Sequence, residues 1–333
     1  LSKTLLLKCP GLDQNRISQF HSSIEKWVCS QTMVQLVKGF EERIPTNLSF
    51  PQWLQWLLQF SERWDFRRLQ REAKARDINE GARWLLTDDG MSDEEKNLVM
   101  KSAHLLGLIG VDQPSLNFYD YVLVLGGARL SCLLRPRFAK YLLEKKIINT
   151  KIVALLGAMR PVAESEREAT DTYAPGAYSE YDLLNAGGEK SFSIREAFFE
   201  KRYINMDMEN KNWAIREYED LFNYVKIISI AAPSSEPEKR RANSADTFSF
   251  FISKYNIPEG SSFLLVTSQI YVPYQQLEAV RKIAIPHKMI VETVGYPSDW
   301  NSNLAGMGQP SNYLQEIRSA IQSAQRFLDV YPI

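Results

Sequence analysis

The run Tyr121-Val122-Leu123-Val124-Leu125, followed at once by Gly126-Gly127, constrains this chain more than any other segment. An unbroken apolar stretch of strand length cannot alternate a wet face with a dry one, so it suits a strand buried on both faces of a parallel α/β sheet. The paired glycines let the backbone turn sharply and approach a ligand, and Ala128-Arg129 puts a cation at that turn. The corner after residue 125 is therefore the first place to look for chemistry.

Four further short apolar runs read as strands: 152–156, 225–231, 262–266 and 289–294. Helical patterns fall between several of them, over Arg137 to Lys145 with Pro136 at the start, Ala242 to Lys254, and Tyr274 to Ile283. Strands alternating with helices predict a Rossmann-like parallel sheet with helices on both faces. Leu314, Ile317, Ile321, Ala324 and Leu328 form the stripe of a closing helix capped by Ser311 or Asn312. The stretch 160–212 is acidic, tyrosine-rich and poorly patterned, which suits a lid or an insertion over the strand ends.

Before residue 115 the character differs, with five of the seven tryptophans and almost no β-branched alternation. Ile17, Phe20, Ile24, Trp27 and Val28 recur at helical spacing, and Ser49-Phe50-Pro51 opens a second amphipathic helix through Trp53 and Trp56. A third helix is expected over 67–76, and a fourth from Ser92, where Glu94 and Glu95 suit a positive N-terminal end. A chain of 333 residues exceeds one ordinary core, so an all-helical domain over 1–115 and an α/β ligand-binding domain over 116–333 are expected.

Forty basic residues balance forty acidic ones, which leaves no global field to gather nucleic acid or an anionic membrane. Cys9, Cys29 and Cys132 are too dispersed for a disulfide framework or a zinc site, and His21, His104 and His287 lack metal-ligand spacing. No apolar stretch is long enough to span a bilayer. The expectation is a cytoplasmic protein with a small-molecule substrate, no nucleic-acid or membrane partner and no metal.

The residues just past the strand ends form the candidate site: Gly126, Gly127, Ala128 and Arg129; Gly157, Ala158 and Arg160; Pro233, Ser234 and Ser235; Thr267, Ser268 and Gln269. Glycine turns leading into helices favour an anionic or strongly polar ligand, and Arg129 and Arg160 could grip a carboxylate or phosphate. Glycines after strands are also ordinary turn punctuation. Neither the three-glycine dinucleotide fingerprint nor the phosphate loop ending in Gly-Lys-Ser/Thr is present, and no covalent nucleophile motif stands out. Glu164, Glu166, Glu168, Asp171, Glu180 and Asp182 follow the second strand, and most of them suit a solvated face.

Taken in order, these blocks resemble the YdcF-like domain family over residues 119–297. Val122 to Gly127 is similar to its opening strand and glycine turn, with Arg137 placed like the arginine of its first helix. Leu156-Gly157-Ala158 resembles its second turn, and Ser179-Glu180 its Ser/Thr-Glu pair. Arg241-Ala242-Asn243-Ser244-Ala245 resembles its Thr-x-x-Asn-Ala helix start, and Val266-Thr267-Ser268 its Val-Thr-Ser strand end. Tyr271 and Tyr274 stand where that family has His-x-x-Arg, Arg240 replaces its threonine, and Ala158 a usual glycine. The resemblance implies a Rossmann-like fold with a pocket at the strand ends, S-adenosylmethionine as cofactor for one member, and cell-wall precursors for envelope members. It also draws Asn243 into the ligand site, makes Glu180 the preferred acid or base, and leaves Tyr271 as a catalytic candidate and Tyr274 as a stacking surface.

The leading expectation is thus a group-transfer enzyme using S-adenosylmethionine or a related nucleotide. A non-catalytic ligand sensor or interaction module is one alternative, with the tryptophan-rich helices around Trp53 and Trp56 as a candidate oligomer surface. A phosphate- or glycan-precursor hydrolase is another.

Overall fold

A computed structural model describes residues 15–41, 43–65, 87–110, 113–127, 129–194, 196–220, 225–301 and 308–332. In chain order its main elements begin with four helices, α1 (Arg16–Val28), α2 (Gln31–Lys38), α3 (Phe50–Phe60) and α4 (Asp93–Leu105). Strand β1 (Tyr121–Leu125), helix α5 (Ser131–Glu144), strand β2 (Ile152–Gly157) and helices α6 (Glu164–Thr170) and α7 (Glu180–Phe192) come next. Then follow β3 (Phe199–Tyr203), β4 (Trp213–Asp220), β5 (Val225–Ala231), α8 (Ser244–Tyr255) and β6 (Ser262–Ser268). The chain closes with α9 (Val272–Ala279), β7 (Ile290–Tyr296) and α10 (Pro310–Val330). It is a mixed α/β protein with a seven-stranded sheet, helices flanking that sheet, and a helical N-terminal region.

These elements gather into two compact units that are not consecutive in sequence. One comprises Leu1–Val111 with Gln269–Arg281 and Pro297–Ile333, and the other Asp112–Ser268 with Lys282–Tyr296.

In the helical unit, local signals set the helix starts. Ser49 and Gln52 form a capping box at α3, with Pro51 in the first turn, and Ser92 and Glu95 form another at α4. Helix α2 was not anticipated from the sequence; its start is fixed by Ser30, whose side chain accepts from the Met33 N–H. The helix expected over 67–76 lies outside the described residues. The closing helix α10 starts two residues before the earliest expected start and is capped at Gln309 rather than at Ser311 or Asn312, with Pro310 in its first turn. Its apolar stripe packs against α1, α3, α4 and α9. The Phe20 and Phe327 rings meet edge to face at 5.0 Å. Arg318, buried on that helix, pairs with buried Asp65 at 3.2 Å and donates to the Leu58 carbonyl.

In the α/β unit the sheet order is β3-β4-β5-β2-β1-β6-β7. The five strands read from the sequence are the five parallel ones; β3 and β4 add an antiparallel edge. Among the parallel strands alone the order is third, second, first, fourth, fifth, so the winding reverses between β1 and β6, the kind of position at which open parallel sheets usually bind ligands. Register assigns the faces. Leu155 on β2 lies against Gly188 of α7, whereas Tyr121 and Phe263, paired neighbours across β1 and β6, carry Phe251 of α8. Tyr121 pairs with Ile152, whose side chain points away from the Leu155 face, so α7 and α8 cover opposite sides of the sheet.

The described residues of 160–212 fold into α6, α7 and the edge strand β3, and α7 packs on α5. That contact is unusually close: a Cβ at Gly187 would run into the Cys132 carbonyl of α5. Helix α5 begins at Ser131, six residues before its expected start, and carries Pro136 in its interior. Proline has no N–H to offer the Cys132 carbonyl four residues back, and it is at this carbonyl that α7 presents a residue without a side chain.

Candidate functional site

Parallel strands deliver their turns to one edge, and Gly126-Gly127, Gly157-Ala158, Ser234-Ser235 and Thr267-Ser268 all lie at the carboxyl edge of the same sheet. The opposite edge is tied up internally, with Asp120 accepting from the Ser262 N–H at 2.7 Å and Glu292 accepting from the Ser115 N–H at 2.9 Å. The carboxyl edge instead carries a cluster of arginines and carboxylates.

Arg135, buried on α5, joins the ends of β1 and β6 at the point of reversal. It donates to the Leu125 carbonyl at 2.9 Å and to the Gly126 carbonyl, and at 3.4 and 3.3 Å to Ser268 Oγ, which itself donates to Tyr296 Oη at 3.0 Å. A positive charge is thus fixed where β1 and β6 part. Arg160, after β2, is held by two carboxylates: a fork of 2.9 and 3.2 Å onto Glu166 and a 3.2 Å bond from Nε to Glu180. Glu166 is only 1% exposed, which corrects its assignment to a solvated face. Arg160 is therefore not the open anion clamp that the sequence suggested.

Glu180 is the first residue of α7, whose N-cap Ser179 forms a capping box with Asp182. Its carboxylate packs against Gly126 so closely that a Cβ there would collide with Oε1. Burial pushes the Glu180 carboxyl above the ordinary carboxylate range, by more than Arg160, Arg135 and Arg241 pull it down. Its side chain keeps 14% exposure, so the acid is desolvated yet reachable. Beneath Gly127, the Cys132 thiol donates to the Gly127 carbonyl at 3.2 Å, and burial raises its pKa to about 12. This thiol is inert as a nucleophile. Tyr173 donates to the Arg129 carbonyl at 2.9 Å, and Arg129 itself adopts a left-handed conformation at φ 51°.

The helix starts at this edge are not alike. Helix α8 is closed by Asn243, whose side chain accepts from the Ala245 and Asp246 N–H groups, and Asp246 accepts in return from the Asn243 N–H. Asn243 is thus a helix cap. Hydrogen bonds from Arg240 and Ser235 outweigh burial and hold Asp246 down, to about 2. Helices α7 and α8 therefore spend their first-turn donors on their own side chains. Helix α5, directly after the glycine turn, has no side-chain cap among the described residues. Ser234 is engaged by the Asn210 carbonyl and the Glu236 N–H, while the hydroxyl of fully buried Thr267 has no partner among the described residues. Arg241 is exposed and forms no ion pair among the described residues.

Of the remaining expected site residues, Ala128 lies outside the described residues, and Gln269, Tyr271 and Tyr274 belong to the helical unit. Gln269 donates there to the Gly107 carbonyl at 2.9 Å. Arg135 and Arg241 went unread in the sequence as site residues, and Glu166 was one of six carboxylates after the second strand of which Glu180 alone was singled out. The signal for Arg135 was its place one turn into the helix that follows the glycines; Glu166 was hidden in an acidic run. Among the described residues no group of three or more His, Cys, Asp or Glu could hold a metal, and no helix is long and apolar enough to cross a membrane.

The helical unit holds a concavity of about 750 Å³, walled by Val34, Ile44, Leu48 and Trp53 with Lys38 and Glu41 among its polar residues. Glu41 is paired with Arg63 at 3.2 Å.

Comparison with known proteins places the chain. Residues 11–107 match the Rv3785 N-terminal domain. Over 322 residues the chain is 33% identical to the uncharacterized protein Rv3785 of Mycobacterium tuberculosis, covering 92% of this chain and 88% of that one. The chain belongs to the Rv3785 family. The uncharacterized proteins MT3893 of Mycobacterium tuberculosis and Mb3814 of Mycobacterium bovis match this Rv3785-family chain at the same identity and coverage. No solved structure matches it. These matches overturn the resemblance to the YdcF-like proteins, since the family model that fits is the Rv3785 one and no YdcF-like family does. The physical reason lies in the motifs. A strand ending in glycine belongs to parallel sheets at large, and Ser179 and Asn243, which carried two of the blocks, are helix caps that any α/β chain can use.

Proposed function

We propose that the α/β unit binds a small anionic ligand of nucleotide type in the crevice between β1 and β6, and that it is a group-transfer enzyme. The observation that carries this reading is the reversal of strand order at β1 and β6 together with the Gly126-Gly127 turn running into the uncapped start of α5. Crevices at such reversals are the usual ligand sites of open parallel sheets, and an uncapped helix start has backbone donors left for an anion. Arg135 and Arg241 supply positive charge, and the unpartnered Thr267 hydroxyl is a polar group that a ligand would satisfy. Glu180, desolvated and reachable, is suited to take a proton from an attacking hydroxyl or amine or to bind ribose hydroxyls. S-adenosylmethionine is one member of this ligand class. With the YdcF-like likeness withdrawn, no residue at the crevice selects it over other adenosine compounds.

The test is thermal denaturation of the purified protein with S-adenosylmethionine, adenosine triphosphate and related compounds at millimolar concentration. A ligand at a hundredfold its Kd stabilises the native state by about 2.7 kcal/mol. Gly127→Val should remove that gain while the protein still unfolds cooperatively. Absence of stabilisation by every adenosine compound and inorganic phosphate would defeat the proposal.

A second reading, a ligand sensor without catalysis, is favoured by the 750 Å³ concavity of the helical unit, whose size suits a small molecule, and by the saturation of Arg160 by two carboxylates. Retention of a bound small molecule by the Gly127→Val variant would support it.

A further inference from the structure

We propose that β3 is a dimerisation edge, at which two copies of the chain join their β3 strands antiparallel about a two-fold axis through Lys201 and so continue one sheet across both molecules. Strand β3 ends the sheet, its one pairing partner among the described residues is β4, and all five of its residues are exposed. A bare edge of this kind is a template for another strand, and proteins normally shorten, cover or charge it. Here the edge is five residues long and charged at Glu200, Lys201 and Arg202, but it is flanked by exposed apolar side chains: Phe198, Phe199, Tyr203, Ile204 and, at 86%, Met206.

The sequence of the strand selects the occupant. A two-fold axis perpendicular to the sheet keeps each residue on its own face, and directly opposed residues of antiparallel strands share a face. The axis must therefore pass through a residue. Centred on Lys201, Phe199 faces Tyr203 of the second copy and Glu200 faces Arg202, each pair occurring twice: aromatic against aromatic on one face, acid against base on the other. Centred on Glu200 or on Arg202, the same strand opposes two like charges and loses the aromatic pairs. The one like-charged pair in the favoured register is Lys201 with itself. That ammonium lies 5.9 Å from the centre of the Trp213 ring of its own chain, where the ring stabilises it. An edge of five residues is small beside permanent interfaces, so the association is concentration-dependent.

Sedimentation velocity of the full chain over a hundredfold concentration range should show conversion of the 38.3 kDa species to one of twice that mass. Glu200→Arg and Arg202→Glu should each weaken dimerisation at least tenfold, and the double exchange should restore it. Because Glu200 also pairs with Arg202 of its own chain and with Arg216 at 3.1 Å, thermal melts must accompany these variants. Lys201→Cys, in a background with Cys9 and Cys29 replaced by Ser because Cys29 is exposed, adds a test that does not depend on them: opposed Cβ atoms lie about 4.5–5.5 Å apart, near disulfide range, so mild oxidation should produce a reducible covalent dimer absent from the background protein. A chain that stays monomeric at the highest concentration, or a dimer that is indifferent to the charge reversals and gains no covalent link when the Lys201→Cys variant is oxidised, would overturn the proposal.

Discussion

Glu180 shows how one side chain reports on its surroundings. Its folded pKa is raised by burial, so the native state holds this proton more tightly than the unfolded chain does. The contribution to stability is present below the ordinary value of 4.5 and is lost as pH rises through the folded value. Relative to Glu180→Gln, the wild type should therefore gain stability as pH is lowered from alkaline toward the ordinary value of 4.5, measured as the difference in Tm between the two; a pH-independent difference would mean that the carboxyl is not perturbed. Arg160 is the complementary case. Replacing it with Met strands Glu166, nearly fully buried, and should cost about 3–5 kcal/mol in urea denaturation. Asn243→Ala should cost about 1 kcal/mol, the value of a lost cap, and leave ligand affinity unchanged. At this scale the glycine turns were legible because a backbone constraint is written locally. The Arg160–Glu166–Glu180 network was not, because Glu180 stands twenty residues beyond Arg160 and only the folding of α6 and α7 brings it back.

Elements were legible where burial is uniform or a cap is present. The five parallel strands announced themselves as apolar runs, and α3 and α4 by their capping boxes. Strand β3, Phe-Glu-Lys-Arg-Tyr, announced nothing, because an exposed edge strand has no dry face to impose a pattern. Helix α5 was read too short because Pro136 looks like a helix start, whereas here it sits inside the helix and α7 packs over the carbonyl it leaves free. The α5–α7 crossing gives a direct test. Gly187→Ala pushes a methyl group into the α5 backbone, which cannot swing aside as a side chain can, and should lower stability by about 1–3 kcal/mol in thermal melts. Gly188→Ala meets the flexible end of Leu155 and should cost less.

For the whole molecule, the connectivity of the helical unit makes a prediction. Leu314, Ile317, Ile321 and Phe327 of α10 are buried within it, at roughly 1.5–3 kcal/mol each, a total comparable to the entire stability of a typical domain. A fragment ending at residue 111 lacks this helix and should show no cooperative unfolding by circular dichroism, whereas the full chain should. Local sequence by itself determined that five buried strands would alternate with helices, since apolar runs and caps act over a few residues and need no distant partner. Only the tertiary structure decided the order in which the strands lie, which charges meet at their carboxyl edge, and that the last helix completes the unit formed by the first four. Those outcomes depend on contacts between residues far apart in the chain, and no local pattern encodes which surfaces will be brought face to face.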